Sequence, residues 1–265
     1  MLDVIRARWQ QGYRTMKWPD GPIPPLPERF AGRPVMQGRD CPADCQRCVE
    51  VCPTAAVQIQ ATEGHRATRL DTGRCLFCRA CEEACPKGQI SFTQEYRLGA
   101  AKREDLIVER GCPVFAPCLV ERARRYFGRS LKLREVSAGG CNACEADSNV
   151  LGTPAWDMGR FGVQFVASPR HADGLLVTGP VPENMREALL KTYHAVPSPK
   201  VVIAVGSCAI SGGPYAGCRE VHNGVDGLIP VDLYVPGCPP HPLTILASLL
   251  GLVGRRNWPQ PRPQE

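Results

Sequence analysis

The sequence predicts two units of different architecture on one chain: a small α+β unit wound around paired cysteine clusters, then an open parallel-sheet α/β domain. Three observations predict it. Two four-cysteine runs lie close together between residues 41 and 86. From residue 131 onward, short and almost continuous apolar runs alternate with helical stretches, the pattern of a parallel sheet covered on both faces. Residues 97–130 show neither pattern and read as a connector.

Composition sets the limits. A chain of 265 residues can bury one sizeable core and a smaller one. Glycine and proline, 26 of each, favour many turns and short elements. Part of the net charge of +6 sits in ERARRYFGRSLKLRE (121–135). That run reads as a solvated face or a contact with an acidic partner. Without interleaved aromatics or a reader motif it does not read as a nucleic-acid site. No apolar run reaches the roughly 18 residues of a membrane span, and TILASLLGLVG (244–254) reads as a buried helix. MLDVIRARWQQGYRTMKWP carries neither an apolar signal core nor a twin-arginine pair, so the expected location is cytoplasmic, and any membrane association would be peripheral, which with the resemblance given below means the inner face of the cell membrane. Fifteen cysteines in such a chain point to metal ligation rather than disulfides.

Taken in order, residues 1–34 read as an amphipathic helix followed by a proline-rich extended arm. The unit at 35–96 holds CPADCQRCVEVCP (Cys41, Cys45, Cys48, Cys52) and CLFCRACEEACP (Cys75, Cys78, Cys81, Cys85). The last three cysteines of each run are offset by a constant 33 residues (45 to 78, 48 to 81, 52 to 85), which marks an internal duplication. The second run has the C-x2-C-x2-C-x3-C-P spacing of two-cluster iron–sulfur proteins, whose fourth cysteine serves the other cluster. Three cysteines on one tight loop can wrap three corners of a cubane, and the fourth is expected to have entered a helix and point away. Cys41, Cys45, Cys48 and Cys85 are therefore expected to hold one [4Fe–4S] cluster, and Cys75, Cys78, Cys81 and Cys52 a second. The first run has three residues between Cys41 and Cys45, so an extra residue must bulge there. Zinc is the alternative, since tetrahedral thiolate sites also use C-x2-C. Tandem runs each closed by Cys-Pro favour iron–sulfur. AAVQIQ (55–60), TRLD (68–71) and GQISF (88–92) read as short strands.

In the domain at 131–256, with a tail at 257–265, five strands are expected: LKLREVSA, FGVQFVAS, GLLVTGP, VVIAVGS and VDLYVPG. Helices are expected at 183–194 and 242–254. Cysteines follow three of the strands: Cys141 and Cys144, Cys208, and Cys238. Open α/β sheets bind ligands beyond the carboxyl ends of their strands, so these four thiols are expected to meet as a third four-ligand site. Gly139, Gly140, Gly206 and Gly237 would let backbone approach a bulky group there.

These residues carry a resemblance. Residues 35–96, with the preceding TMKWP and RFAGRPVM, resemble the two-cluster ferredoxin subunits of complex I and of formate hydrogenlyase-type complexes, whose N-terminal arm contacts partner subunits near the membrane surface. GCNACE, SPRHADGLLVTGP, GSCAISGG and VPGCPPHP, spread over residues 129–254, resemble the small electron-transfer subunit of group 4 [NiFe]-hydrogenases. The complex I subunit is the more distant relative. It characteristically has two adjacent cysteines at the first motif, whereas Cys141 and Cys144 are two residues apart and followed by Glu145. Some relatives have a further cysteine where this chain has Ala138.

The resemblance implies a ferredoxin domain fused to a hydrogenase small-subunit-type domain that binds the proximal cluster. The expected function is to relay electrons through three [4Fe–4S] clusters to or from a [NiFe] large subunit, the catalytic centre lying on that partner. The implied partners also include membrane subunits and an electron-donor subunit such as formate dehydrogenase, carbon monoxide dehydrogenase or a ferredoxin. A complex I-like relay to quinone is the alternative, and a zinc-stabilised scaffold or nucleic-acid module the bland one. Cys112, Cys118 and Cys218 are left as non-ligating thiols. His171 and Glu145 read as structural groups or as hydrogen-bond partners of the third cluster, with proton transfer near the partner's active site as the alternative for Glu145. No Ser–His–Asp, Cys–His or nucleotide-binding constellation stands out.

Overall fold

The computed structural model describes residues 2–37, 41–42, 44–62, 65–110 and 121–254. It begins with helix α1 (Leu2–Gln11), none of whose residues is buried. The extended arm that follows is tied down at both ends. The Met16 amide donates to the Ala155 carbonyl and the Gly32 amide to the Thr93 carbonyl. Between them, Trp18 is buried edge-on against Tyr96.

The first unit contains β1 (Pro34–Met36), α2 (Arg47–Glu50), β2 (Val57–Thr62), β3 (His65–Asp71), α3 (Ala80–Glu83) and β4 (Ile90–Phe92). The duplication is visible in its pairing: β1 pairs antiparallel with β4, and β2 with β3. Cys48, Cys75 and Cys81 belong to its core, with Val57, Leu70 and Ile90.

The helices correct one expectation. The third cysteine of each run, Cys48 or Cys81, lies in the helix, whereas Cys52 and Cys85 lie just beyond the C-caps Val51 and Ala84. Pro53 and Pro86 are the reason, because the residue before a proline is pushed out of the helical region. The fourth thiol is thus aimed by a helix end rather than by a helix.

The connector is bonded on both sides. β5 (Ile107–Val108) extends the ferredoxin-side sheet by pairing with β3. Ala100 forms an antiparallel bridge with Tyr234 of the second domain, its amide donating at 2.9 Å and its carbonyl accepting at 2.8 Å. Farther on, α4 (Glu121–Phe127) buries Ala123 and Phe127 in the second domain's core.

That domain contains β6 (Leu131–Ser137), α5 (Ala143–Asn149), β7 (Val163–Phe165), β8 (Gly174–Thr178), α6 (Glu183–Ala195), β9 (Val201–Val205), α7 (Ser207–Ser211), β10 (Leu233–Val235) and α8 (Pro242–Leu252). The five strands form one wholly parallel sheet in the order β10-β9-β8-β6-β7. Strand alternation supplies both faces. Val201, Ile203 and Val205 point into the core shared with α8, while Val202 and Ala204 point into the core shared with α6. All eleven residues of α8 are buried, in keeping with its apolar sequence.

Ile203 is fully buried at the centre of the sheet, in register with Leu176 and Leu233. Ile203→Ala should lower stability by about 2–5 kcal/mol and Ile203→Val by about 0.5–1.5 kcal/mol. Calorimetric unfolding of the two variants checks the gradation.

Candidate metal centres

The strand-end cysteines do meet. β6, β9 and β10 run the same way and deliver Cys141 and Cys144, Cys208, and Cys238 to one edge of the sheet. Burial raises the Cys144 thiol's proton affinity most, and the charges of Cys208, Glu145, Cys238 and Cys141 raise it further. Cys208 is pushed up to about 11 by burial, then by Cys238 and Cys141. Cys144 and Cys208 are half-buried, while Cys141 and Cys238 are exposed, so the site opens outward.

Glycine makes the convergence possible. A Cβ on Gly206, whose φ is +88°, would lie 2.5 Å from the Cys144 sulfur. Only glycine has both the backbone freedom and the missing side chain that this approach needs. At the start of α5, Asn142 takes φ +70°, turning Cys144 inward.

The ferredoxin-side thiols sort into two groups across the two runs. Cys48 is pushed up to about 11 by burial and by the charges of Cys85, Cys41 and Cys45. Cys81 is pushed up to about 12 by burial, then by Cys52 and Cys78 and, across the two groups, by Cys48. Cys75, also raised by burial, feels Cys81, Cys52 and Cys78. Backbone amides donate to three of these sulfurs at 3.2 Å: Ala56 to Cys52, Phe77 to Cys75 and Gln89 to Cys85.

Buried thiols that repel one another stay protonated unless a cationic group compensates them. Their donor set therefore fits a metal centre. Among the described residues, no three His, Cys, Asp or Glu side chains converge to hold a single metal ion. A cubane asks for something looser, because each thiolate binds a different iron.

The remaining candidates fall elsewhere. Cys218 is exposed and is not among the charges that raise any of these thiols. Cys112 and Cys118 lie outside the described residues. His171 is exposed in the short turn Pro169–His171 before β8, at the opposite end of that strand from the cysteine edge. It cannot bond to the third site, because β8 carries the chain away from it.

Sequence reasoning missed a carboxyl pair behind Cys144. Glu145 is 5% exposed, and its Oε1 accepts from Ser137 at 2.6 Å and from Thr178 at 2.7 Å. Burial works against the charge, but the two hydroxyls outweigh it and hold Glu145 below the ordinary carboxylate range. Ser137 and Thr178 are register partners at the ends of β6 and β8, a signal available once those strands are drawn side by side. Glu135, two residues before Ser137, is raised to about 7 by burial and by Glu145.

A family model described as the NADH ubiquinone oxidoreductase 20 kDa subunit matches residues 141–252, which contain all four edge cysteines. "Probable membrane-bound hydrogenase subunit mbhJ" of Pyrococcus furiosus is 44% identical over 126 residues, 48% of this chain and 75% of that protein. The chain belongs to the NADH ubiquinone oxidoreductase 20 kDa subunit family. Formate hydrogenlyase subunit 7 of Escherichia coli, another relative, is 43% identical over 48% of this chain, which spans about half (51%) of that protein. An NADH-quinone oxidoreductase subunit of Bacteroides thetaiotaomicron is 45% identical over 48% of this chain and 64% of its own length. Ahead of the 20 kDa-type domain, residues 40–89 match a 4Fe-4S dicluster domain. This chain therefore joins an iron–sulfur dicluster unit to a 20 kDa-type domain.

The carboxyl pair has a pH signature. Glu135 keeps its proton up to about 7 in the folded chain but loses it near 4.5 when unfolded. The folded state binds more protons in that window, so this group's contribution to stability falls as pH rises through it. Glu135→Gln should flatten that decline and be relatively more stable above pH 7, as read from unfolding midpoints across the window.

Proposed function

We propose that the chain is the electron-transfer subunit of a membrane-associated [NiFe]-hydrogenase complex of the formate hydrogenlyase type. It would hold three [4Fe–4S] clusters: one on Cys41, Cys45, Cys48 and Cys85, one on Cys75, Cys78, Cys81 and Cys52, and one on Cys141, Cys144, Cys208 and Cys238. The observation that carries the reading is the gathering of the last four thiols at an open sheet edge, on a chain that also holds a dicluster unit. Bound there, the clusters would supply one-electron relays, with no bond made or broken on the protein.

The chain's own residues do the rest. The thiolates hold the metal. Amides donating to Cys52, Cys75 and Cys85 stabilise negative charge on sulfur and so tune its basicity. Apolar burial of Cys48, Cys75 and Cys81 keeps water away. The exposed Cys141 and Cys238 mark the face that a catalytic large subunit would cover.

A donor subunit such as formate dehydrogenase, carbon monoxide dehydrogenase or a ferredoxin would dock on the dicluster side. The two-residue spacing of Cys141 and Cys144, with Glu145 following, supports a hydrogenase partner. The similarity to an NADH-quinone oxidoreductase subunit keeps quinone as the second reading.

Among the described residues no helix is long and apolar enough to cross a membrane. We propose that α1 instead lies on an anionic bilayer surface, with membrane subunits alongside it. Leu2, Ile5 and Trp9 share one face and are 81%, 63% and 90% exposed, while Arg6, Arg8, Arg14 and Lys17 supply positive charge.

The complex purified from its host should be brown and carry about twelve irons per copy of this chain, the content of three four-iron cubanes. A colourless, zinc-loaded protein would refute the relay. A co-purifying large subunit without paired cysteines for nickel and iron would refute the hydrogenase assignment and leave quinone. In sedimentation with anionic vesicles, Trp9→Glu should bind more weakly than the parent chain, and added salt should release both.

A further inference from the structure

Among the described residues, two of the contacts between the ferredoxin-side unit and the α/β domain lie beside cysteines of both, and they differ in kind. One is a cavity of about 340 Å³, with Leu76 and Phe77 on one wall and Cys238 and His241 on the other. The second is a tight seam. There the turn Asp71–Cys75, which ends on a cysteine of the second site, meets α7, which carries Cys208.

The seam is locked from both sides. The Ser211 hydroxyl, at the end of α7, lies 3.0 Å from the Gly73 carbonyl and 3.1 Å from the Ser207 carbonyl, so its one proton is shared between the seam and its own helix. Arg103 of the connector grips Asp71 with two bonds, at 2.8 and 2.5 Å. The buried Thr72 donates to the Leu106 carbonyl through both its amide and its hydroxyl. The contact at Gly73 is close: a Cβ there would sit 2.9 Å from the Ile210 Cγ2 of α7, 2.9 Å from the Leu106 Cδ1 and 3.0 Å from the Arg103 guanidinium carbon, so these side-chain ends would have to shift to admit it.

We propose that this seam, with Gly73 as its contact point and Ser211 as a positioning residue, sets the electronic gap between the second ferredoxin-side site and the strand-edge site, and that the route runs through it rather than across the cavity. The inference rests on the three-cluster reading above. One electron crosses and no proton moves, so one side is oxidised by one electron and the other reduced by one. The reductant is a low-potential one-electron carrier on the donor side. Tunnelling decays steeply with distance, and more steeply across empty space than through packed atoms and hydrogen bonds. The Gly73–Ser211 bond makes the backbone leading to Cys75 nearly continuous with the helix bearing Cys208, whereas the cavity interrupts the other approach.

The test uses the full iron-loaded chain. Gly73→Ala displaces the side-chain ends packed on the seam, Ser211→Ala removes the hydroxyl that reaches across it, and Leu98→Ala enlarges the cavity. Iron content, the magnetic interaction between the two reduced centres, and the rate of electron passage between them are measured for each. Gly73→Ala and Ser211→Ala should retain iron and the spectrum of each separate centre. Both should weaken the magnetic interaction and slow passage several-fold, while Leu98→Ala changes neither. If Gly73→Ala fails to load iron, Ser211→Ala decides alone. Retained iron with unaltered interaction and rate in the seam variants, or an effect confined to Leu98→Ala, overturns the inference and leaves the relay intact. A parent chain that binds no iron–sulfur overturns both.

Discussion

Sulfur atoms that raise one another's proton affinity are the constraint around which this molecule is built. Left to themselves, Cys144, Cys208 and Cys238 would separate or stay protonated, since burial and neighbouring thiolate charge both oppose ionisation. The fold opposes that separation with covalent geometry. Three parallel strands end at one edge, and each is pinned by ladder bonds to a neighbour inside a filled two-faced core. The energy that holds the sulfurs together is thus apolar burial some distance from them.

The same logic explains the polar groups nearby. Glu145 adds a negative charge beside Cys144, which is unfavourable alone. The hydroxyls of Ser137 and Thr178 offset that charge locally, and they come from the same strand ends that position the cysteines. Cysteines, glycines and hydroxyls therefore share one edge because the sheet has one such edge. On the ferredoxin side the order of causes is reversed: cysteines themselves make up much of a small core, so packing and ligand placement cannot be separated there.

Much of this was legible in the residues. The five strands were legible because fully buried parallel strands read as continuous apolar runs, and VVIAV and GLLVT could face nothing but core. That Cys141, Cys144, Cys208 and Cys238 end at one edge followed once cysteines were read as strand-end residues rather than as spaced pairs. Other features were hidden for physical reasons. The left-handed Asn142 and the helix ends before Pro53 and Pro86 depend on single dihedral choices that periodicity does not encode. The seam at Gly73 depends on contacts between residues more than a hundred positions apart, and no local pattern reports them.

The Ala100–Tyr234 bridge has a consequence for the solubility of the parts. β10 is an outer strand of the sheet, and the bridge occupies amide and carbonyl groups that would otherwise template another chain. The connector is in this sense a built-in edge guard. A fragment beginning at β6 would lose the guard along with the ferredoxin-side unit, and would bare the Tyr234 amide and carbonyl that Ala100 occupies in the intact chain. Covalent joining of the two units therefore covers part of one sheet edge as well as keeping two modules together.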